Sequence, residues 1–364
     1  MRGAVVRDGA GITRFAERWL GLAGGGDEGG GFVWSPAGLW LALGVVAAGA
    51  KGETADELRQ LLGVAGDDAA KAVGEVGRAL AGTDALGVAT CVWSRVPVHR
   101  DFQDALPGVA VGRLDPAEID GWVRAVTGGL VERLPVRVGD DVLVAVVNAL
   151  ALKARWEFPF ESSATRERDF TAAAGIRHRV PTMHKGVPLA DAWTVGPTRV
   201  VELRCRVEQG GAPARVRFLL GAEGAGPRDV LPAGWAGPGD RAPLDTDLVA
   251  IALPRLSLRT TVEVTDQLAA LGIHRATTES ADFSGMSPER LAVSRVVQEA
   301  VLKVAEEGVE AAAVSAVLMA PGGAPPPPRR TETIRFERPF GIVVLDASGE
   351  VPLFIAWQEG VPNG

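Results

Sequence analysis

The sequence predicts an α+β fold. Three observations carry the prediction: helical spacing dominates the first eighty or so residues, strand-like runs then follow in blocks, and no linker divides the 364 residues into two units. At 12–22, Ile12, Phe15, Trp19 and Leu20 recur at helical intervals before the stop at Gly24-Gly25-Gly26. Ser35-Pro36 supplies an N-cap and a first-turn proline for 39–50, which is apolar on nearly every side and reads as a buried helix. Further helices are expected at 54–62, 69–80, 116–127 and 264–271. Strands are expected at 86–93, 110–114, 142–152, 198–206, 215–220 and 249–253, at Ile334, and from Val343 onward. The stretch 221–240, rich in Gly, Pro and Asp, reads as a surface loop, and 325–328 as a stiff polyproline tether.

Composition narrows the function. With 47% hydrophobic and 23% charged residues the chain is an ordinary globular protein. A net charge of -7 offers no basic field for nucleic acid, and the arginines of 166–179 and at Arg329-Arg330 read as solvated faces. No apolar run is long enough for a membrane span, and the start Met1-Arg2-Gly3-Ala4-Val5-Val6-Arg7-Asp8 lacks the apolar stretch of a secretory signal. The expectation is a cytoplasmic protein, with action outside the cell left open. Cys91 and Cys205 are the only cysteines and read as small buried hydrophobes. His99, His178, His184 and His274 lack catalytic company, and no G-x-S-x-G, H-E-x-x-H or C-x-x-C occurs, so neither an enzyme, a metal nor a cofactor is expected. Nine tryptophans with no tyrosine are read mainly as core packing.

The stretch from Glu306-Glu307-Gly308 to Pro321-Gly322-Gly323 carries the most information. As a strand it places Val309, Ala311, Ala313, Ser315, Val317 and Met319 on one face and Glu310, Ala312 and Val314 on the other. The first face is free of charge, so it can enter a sheet without burying an ion. An amphipathic helix over 301–320 is the alternative that local pattern leaves open.

The motifs resemble those of the serpins, of bacterial type. Glu306-Glu307-Gly308-Val309-Glu310-Ala311-Ala312-Ala313 is similar to the family's proximal hinge. Phe336-Glu337-Arg338-Pro339-Phe340 resembles F-x-x-P-F, and Val351-Pro352-Leu353-Phe354-Ile355-Ala356 resembles the C-terminal P-L-F-x-G strand, with Ala356 where glycine is usual. Leu253-Pro254-Arg255, Phe283-Ser284-Gly285-Met286, Val147-Asn148-Ala149-Leu150, Trp156-Glu157-Phe158-Pro159-Phe160, Thr165 to Phe170, Trp34-Ser35-Pro36 and the run from Gly49 to Leu58 match in family order.

The resemblance implies one domain over 1–364, with three β-sheets, about eight to nine helices and an exposed reactive centre loop at about 306–333. It implies a serine-type endopeptidase inhibitor that acts as a suicide substrate: the protease cleaves the loop, and the freed arm enters the central sheet before deacylation. The alternative is a non-inhibitory protein of the same fold that binds a ligand or partner. Glu306 to Ala313 are assigned to insertion, with Val309 departing from the usual Thr or Ser. The scissile bond, counted from Glu306, falls at Gly322-Gly323. Met319-Ala320 would suit an elastase- or subtilisin-like enzyme and Arg330-Thr331 a trypsin-like one, but a bond so far downstream leaves slack in the arm and makes Arg330 a substrate site. A serine protease is the expected partner of a monomer, with a cysteine protease as the alternative. Ser35, Asn148, Trp156 and Gln298 are assigned to the region where the sheet opens. Gln298 stands where the family has His, which removes a source of pH dependence. Gly38 replaces a second serine.

Overall fold

The computed structural model describes residues 2–22, 31–133, 142–293, 296–309 and 330–363. The N-terminal third is mainly helical, with α1 (Arg2–Leu22), α2 (Pro36–Gly49), α3 (Gly52–Leu62), α4 (Asp67–Ala81), α5 (Arg100–Ala105) and α6 (Pro116–Val126). Two four-residue helices, α7 (Pro227–Val230) and α8 (Thr265–Leu268), are the others among the described residues. Caps fix where the important ones start. Ser35 Oγ accepts from Gly38 N at 3.0 Å with Pro36 in the first turn of α2, and Asp115 does the same for Ala117 N at 2.8 Å at the start of α6. Apolar on all sides, α2 has Leu39, Trp40, Leu41, Leu43 and Val45 each at most 2% exposed.

A seven-stranded sheet runs in the order β1 (Gly31–Trp34), β18 (Pro352–Gln358), β17 (Phe340–Leu345), β10 (Arg215–Leu220), β9 (Thr198–Arg204), β8 (Ala192–Val195), β11 (Ala242–Pro243). A four-stranded sheet orders β16 (Thr331–Arg335), β12 (Leu248–Pro254), β7 (Arg177–Val187), β6 (Arg166–Thr171), with β16 parallel to β12. The remaining strands form two separate ladders: β3 (Val109–Arg113), β2 (Leu86–Ser94), β4 (Val144–Leu152), and β13 (Leu256–Glu263), β14 (Val297–Val304), β15 (Gly308–Val309), β5 (Ala154–Arg155).

The architecture is α+β, and the described residues form four hydrogen-bonded sheets where three are expected, because no described ladder joins β4 to β14. Val297–Val304 is a strand, so the helical alternative fails over its first residues. The stretch 221–240 is no simple surface loop: Val230, Leu231 and Ala233 are buried, and a Cβ at Gly234 would lie 2.4 Å from Val343 Cγ2. Its few apolar residues close one side of the seven-stranded sheet. The arginines of 166–179 form the β6–β7 hairpin, exposed as expected at Arg166, Arg168, Arg177 and Arg179. Cys91 and Cys205 are free and buried, and burial pushes their thiols up to about 11 and about 12. Among the described residues no helix is long and apolar enough to cross a membrane.

Candidate functional site

The break between β4 and β14 is closed at its upper end by the hinge. After β14 the chain turns through Ala305-Glu306-Glu307, and Gly308-Val309 come back antiparallel between β14 and β5, pairing Val309 with Val304 on one side and Ala154 on the other. Gly308 is required by this approach, since a Cβ there would stand 2.2 Å from the Ala154 carbonyl oxygen. Val309 is 2% exposed and already part of the core.

Three backbone groups of the turn are engaged by the segment after β5. Trp156 N donates to Glu307 O at 2.8 Å, Phe160 N to Glu306 O at 2.9 Å, and the Trp156 indole Nε1 to Ala305 O at 2.9 Å. Trp156 is buried and lies edge-on to Phe218, so it serves both as core and as a fastener of the hinge. The Glu306 carboxylate takes Arg255 Nε at 2.9 Å on each oxygen and Thr165 Oγ1 at 2.6 Å. Burial pushes this carboxyl up, but the hydrogen bonds from Arg255 and Thr165 and the charge of Arg255 outweigh burial and leave it below its ordinary value. Sequence reasoning had placed Arg255 and Thr165 inside family motifs without giving either a role. The partner of each lies more than fifty residues away, or 141 in the case of Thr165.

Lower down, the cluster is neutral. Gln298 Oε1 accepts from Ser35 N at 2.7 Å while its Nε2 donates to Ser35 O at 3.0 Å, and Ser35 Oγ donates to Leu353 O at 2.6 Å. Asn148 Nδ2 donates to Thr90 Oγ1 at 2.9 Å and Ala89 O at 3.3 Å, which ties β4 to β2. These side chains converge on Gly38, where a Cβ would lie 2.7 Å from Asn148 Oδ1 and 3.1 Å from both Gln298 Nε2 and Ser35 Oγ. Beside them a cavity of about 280 Å³ opens between β4, β14 and α2, lined among others by Leu43, Val46, Val144, Val146 and Val296. Ser35, Asn148, Gln298 and Trp156 are thus brought to one line along the break, with Trp156 at the hinge end. Glu310, Ala311, Ala312, Ala313, Met319, Gly322 and Gly323 lie outside the described residues, as do Ser294 and Arg295. Arg330 stands just ahead of β16, beside the start of β12.

A family model described as "Serpin (serine protease inhibitor)" matches residues 11–357. The chain is a serpin. "Iripin-5" of Ixodes ricinus is 29% identical over 314 residues, covering 78% of this chain and 78% of that protein. "Alpha-1-antiproteinase 2" of Equus caballus is 30% identical over 243 residues, covering 65% of this chain and 55% of the horse protein, so the match spans about half of its length. Serpin48 of the insect Tenebrio molitor superposes with a TM-score of 0.78 at 24% identity, covering 97% of this chain and 98% of that one, a likeness of fold. These three are animal proteins, and carry the family but not the bacterial type. As a serpin the chain belongs to a family of protease inhibitors, which are not enzymes.

Proposed function

We propose that this serpin inhibits a serine protease, of subtilisin or elastase type, by suicide trapping with insertion of the cleaved loop between β4 and β14. One observation carries the reading. Gly308-Val309 start an antiparallel strand between two unjoined ladders, and the registers on its two sides agree. Continued from Val309 opposite Ala154 and from Val309 opposite Val304, the arm brings the same residue, Ser315, opposite Asn148 on one flank and Gln298 on the other. Its inward face is then Ala311, Ala313, Ser315 and Val317, which carries no charge, and the cavity beside it offers Leu43, Val46, Val144 and Val146 as well as Asn148 and Gln298. The single hydroxyl of that face meets the polar cluster. Glu310 turns to the opposite side.

The arm from Val309 to Gly322 has about fourteen residues and at roughly 3.3 Å each reaches about 46 Å, long enough to draw an acylated protease the length of the sheet. New ladder bonds on both flanks and burial of the alanine and valine side chains supply the drive. We assign cleavage to Gly322-Gly323 on this spacing. The test is thermal unfolding before and after nicking 314–330 with a nonspecific protease. Insertion raises the midpoint by about 10 °C or more. An unchanged midpoint turns the assignment to the non-inhibitory alternative, and a search for a bound ligand or partner follows.

A further inference from the structure

Arg330 is held in a way that an exposed bait residue is not. Its N–H donates to Asp247 Oδ2 at 2.9 Å. Its carbonyl oxygen accepts three hydrogen bonds, from Thr246 Oγ1 at 2.7 Å, Asp247 N at 3.0 Å and Leu248 N at 3.1 Å. The guanidinium reaches Asp245 with Nη2 to Oδ1 at 2.6 Å and Nη1 to Oδ2 at 3.4 Å. The next residue, Thr331, opens β16 and pairs with Leu248.

Hydrolysis after an arginine requires its side chain to enter the enzyme's specificity pocket and its carbonyl oxygen to enter an oxyanion hole, with extended backbone on both sides of the bond. Here the side chain is committed to Asp245, the oxygen is committed to three donors, and the residues beyond the bond are in a ladder. We propose that Asp245, Thr246 and Asp247 form a clamp that withholds the Arg330-Thr331 bond from trypsin-like proteases, making Arg330 the anchor of the loop instead of its bait. The clamp itself does not depend on inhibition. Its consequence, that the trapped enzyme reads a neutral residue between Met319 and Gly323, rests on the inhibitory reading.

The contributions are unequal. The Arg330 and Asp245 side chains are 67% and 93% exposed, and an ion pair so wet adds little. The Asp247 carboxylate and the backbone donors carry most of the restraint. Asp247→Ala removes the acceptor of the Arg330 N–H, and Asp245→Ala with it frees the side chain.

The experiment is trypsin digestion of the full chain under native conditions, with fragment masses mapped over time. The parent is expected to release the fragment beginning at Thr331 slowly. Asp245→Ala alone should speed this by no more than a few-fold, and the double variant Asp245→Ala/Asp247→Ala by about tenfold or more, while cleavage at other arginines keeps its rate. Arg330→Lys, which keeps a trypsin site but loses the bidentate fork, provides a check that needs no change in the clamp and should show a small rise. Rapid cleavage of the parent at Arg330-Thr331, or a double variant cut no faster than the parent, overturns the clamp. Faster cleavage at every arginine in the double variant also overturns it, since the restraint would then be global. None of these readings requires that any protease be trapped, so failure of the inhibitory reading appears separately, as an unchanged unfolding midpoint after nicking.

Discussion

The break between β4 and β14 is flanked by two polar clusters of different kinds, and only the one at the hinge bonds across it. At the hinge, a carboxylate is bound by a guanidinium and a hydroxyl, all under the turn that leads into β15. Below it, Ser35 and Gln298 exchange a pair of neutral hydrogen bonds at the edge of a cavity. An ionic clamp is strong while both charges are present and fails when either is removed, because a buried unpaired charge is costly. A neutral amide–backbone pair is weaker but can be exchanged for another of the same kind. Under the proposed insertion, this suits the lower site to separate and re-form as a strand passes, and the upper site to fix where that strand begins.

The largest effect is expected at the point between them. Val309 is enclosed by β14 and β5, and Val309→Arg forces a guanidinium into that space or drives the hinge out of it. Trapping should be lost, with the ratio of inhibitor consumed to protease inactivated rising tenfold or more and the chain recovered as cleaved product. Gel-stable complex at the parental ratio would mean that the trapping arm does not start at Val309.

Breaking the ionic clamp comes next. Arg255→Ala leaves Glu306 buried with Thr165 as its remaining side-chain donor, and partial exposure of Arg255 limits the cost to about 1–3 kcal/mol. Glu306→Gln keeps the shape and should cost less. Acid acts on the same contact. The folded carboxyl lies below its ordinary value, so its contribution is complete above the unfolded pKa and is lost as pH falls through the folded one. In the parent this loss should appear below about pH 4, and denaturation curves of Arg255→Ala should lack that part of the acid dependence. Identical acid profiles for the two would remove Glu306 from the role.

How much of this was legible follows the range of each interaction. The caps of α2 and α6 are local, and Ser35-Pro36 and Asp115-Pro116 announce them. The hinge is marked in the sequence by its motif and by an alternation that leaves one face uncharged, and the described residues follow it only as far as Val309. The clamp on Glu306 was not legible, since Thr165 and Arg255 come from distant segments and nothing in the spacing of either points to the turn. The strands β6 and β7 were missed because both faces of much of β6 are wet: Arg166, Glu167, Arg168 and Asp169 are all exposed, which erases the period-two signal. The break between β4 and β14 is a property of pairing, and neither strand's own sequence shows it. Arg330 reads in the sequence as a solvated residue and a substrate site, and nothing around it announces that Asp247 and Leu248 bind its backbone.

Effects no larger than these belong to the neutral cluster, and they test whether its lack of charge matters. Gly38→Ala places a methyl 2.7 Å from Asn148 Oδ1 and should cost about 1–3 kcal/mol as the amide is pushed aside. Gln298→His is the sharper probe. An imidazole at this site exchanges hydrogen bonds with Ser35 only at some cost when charged, because one of the two backbone groups that Gln298 meets there is an N–H donor. Its folded pKa is then below the unfolded value near 6.5, so the variant matches the parent above about pH 7 and loses stability relative to it as pH falls toward 5, by at most about 1.4 kcal/mol per pH unit. The difference between the two denaturation midpoints, followed from pH 8 to pH 5, measures this directly. A difference that does not change with pH would mean that position 298 is open to water, and the neutral cluster could not then be the part of the sheet that a passing strand re-forms.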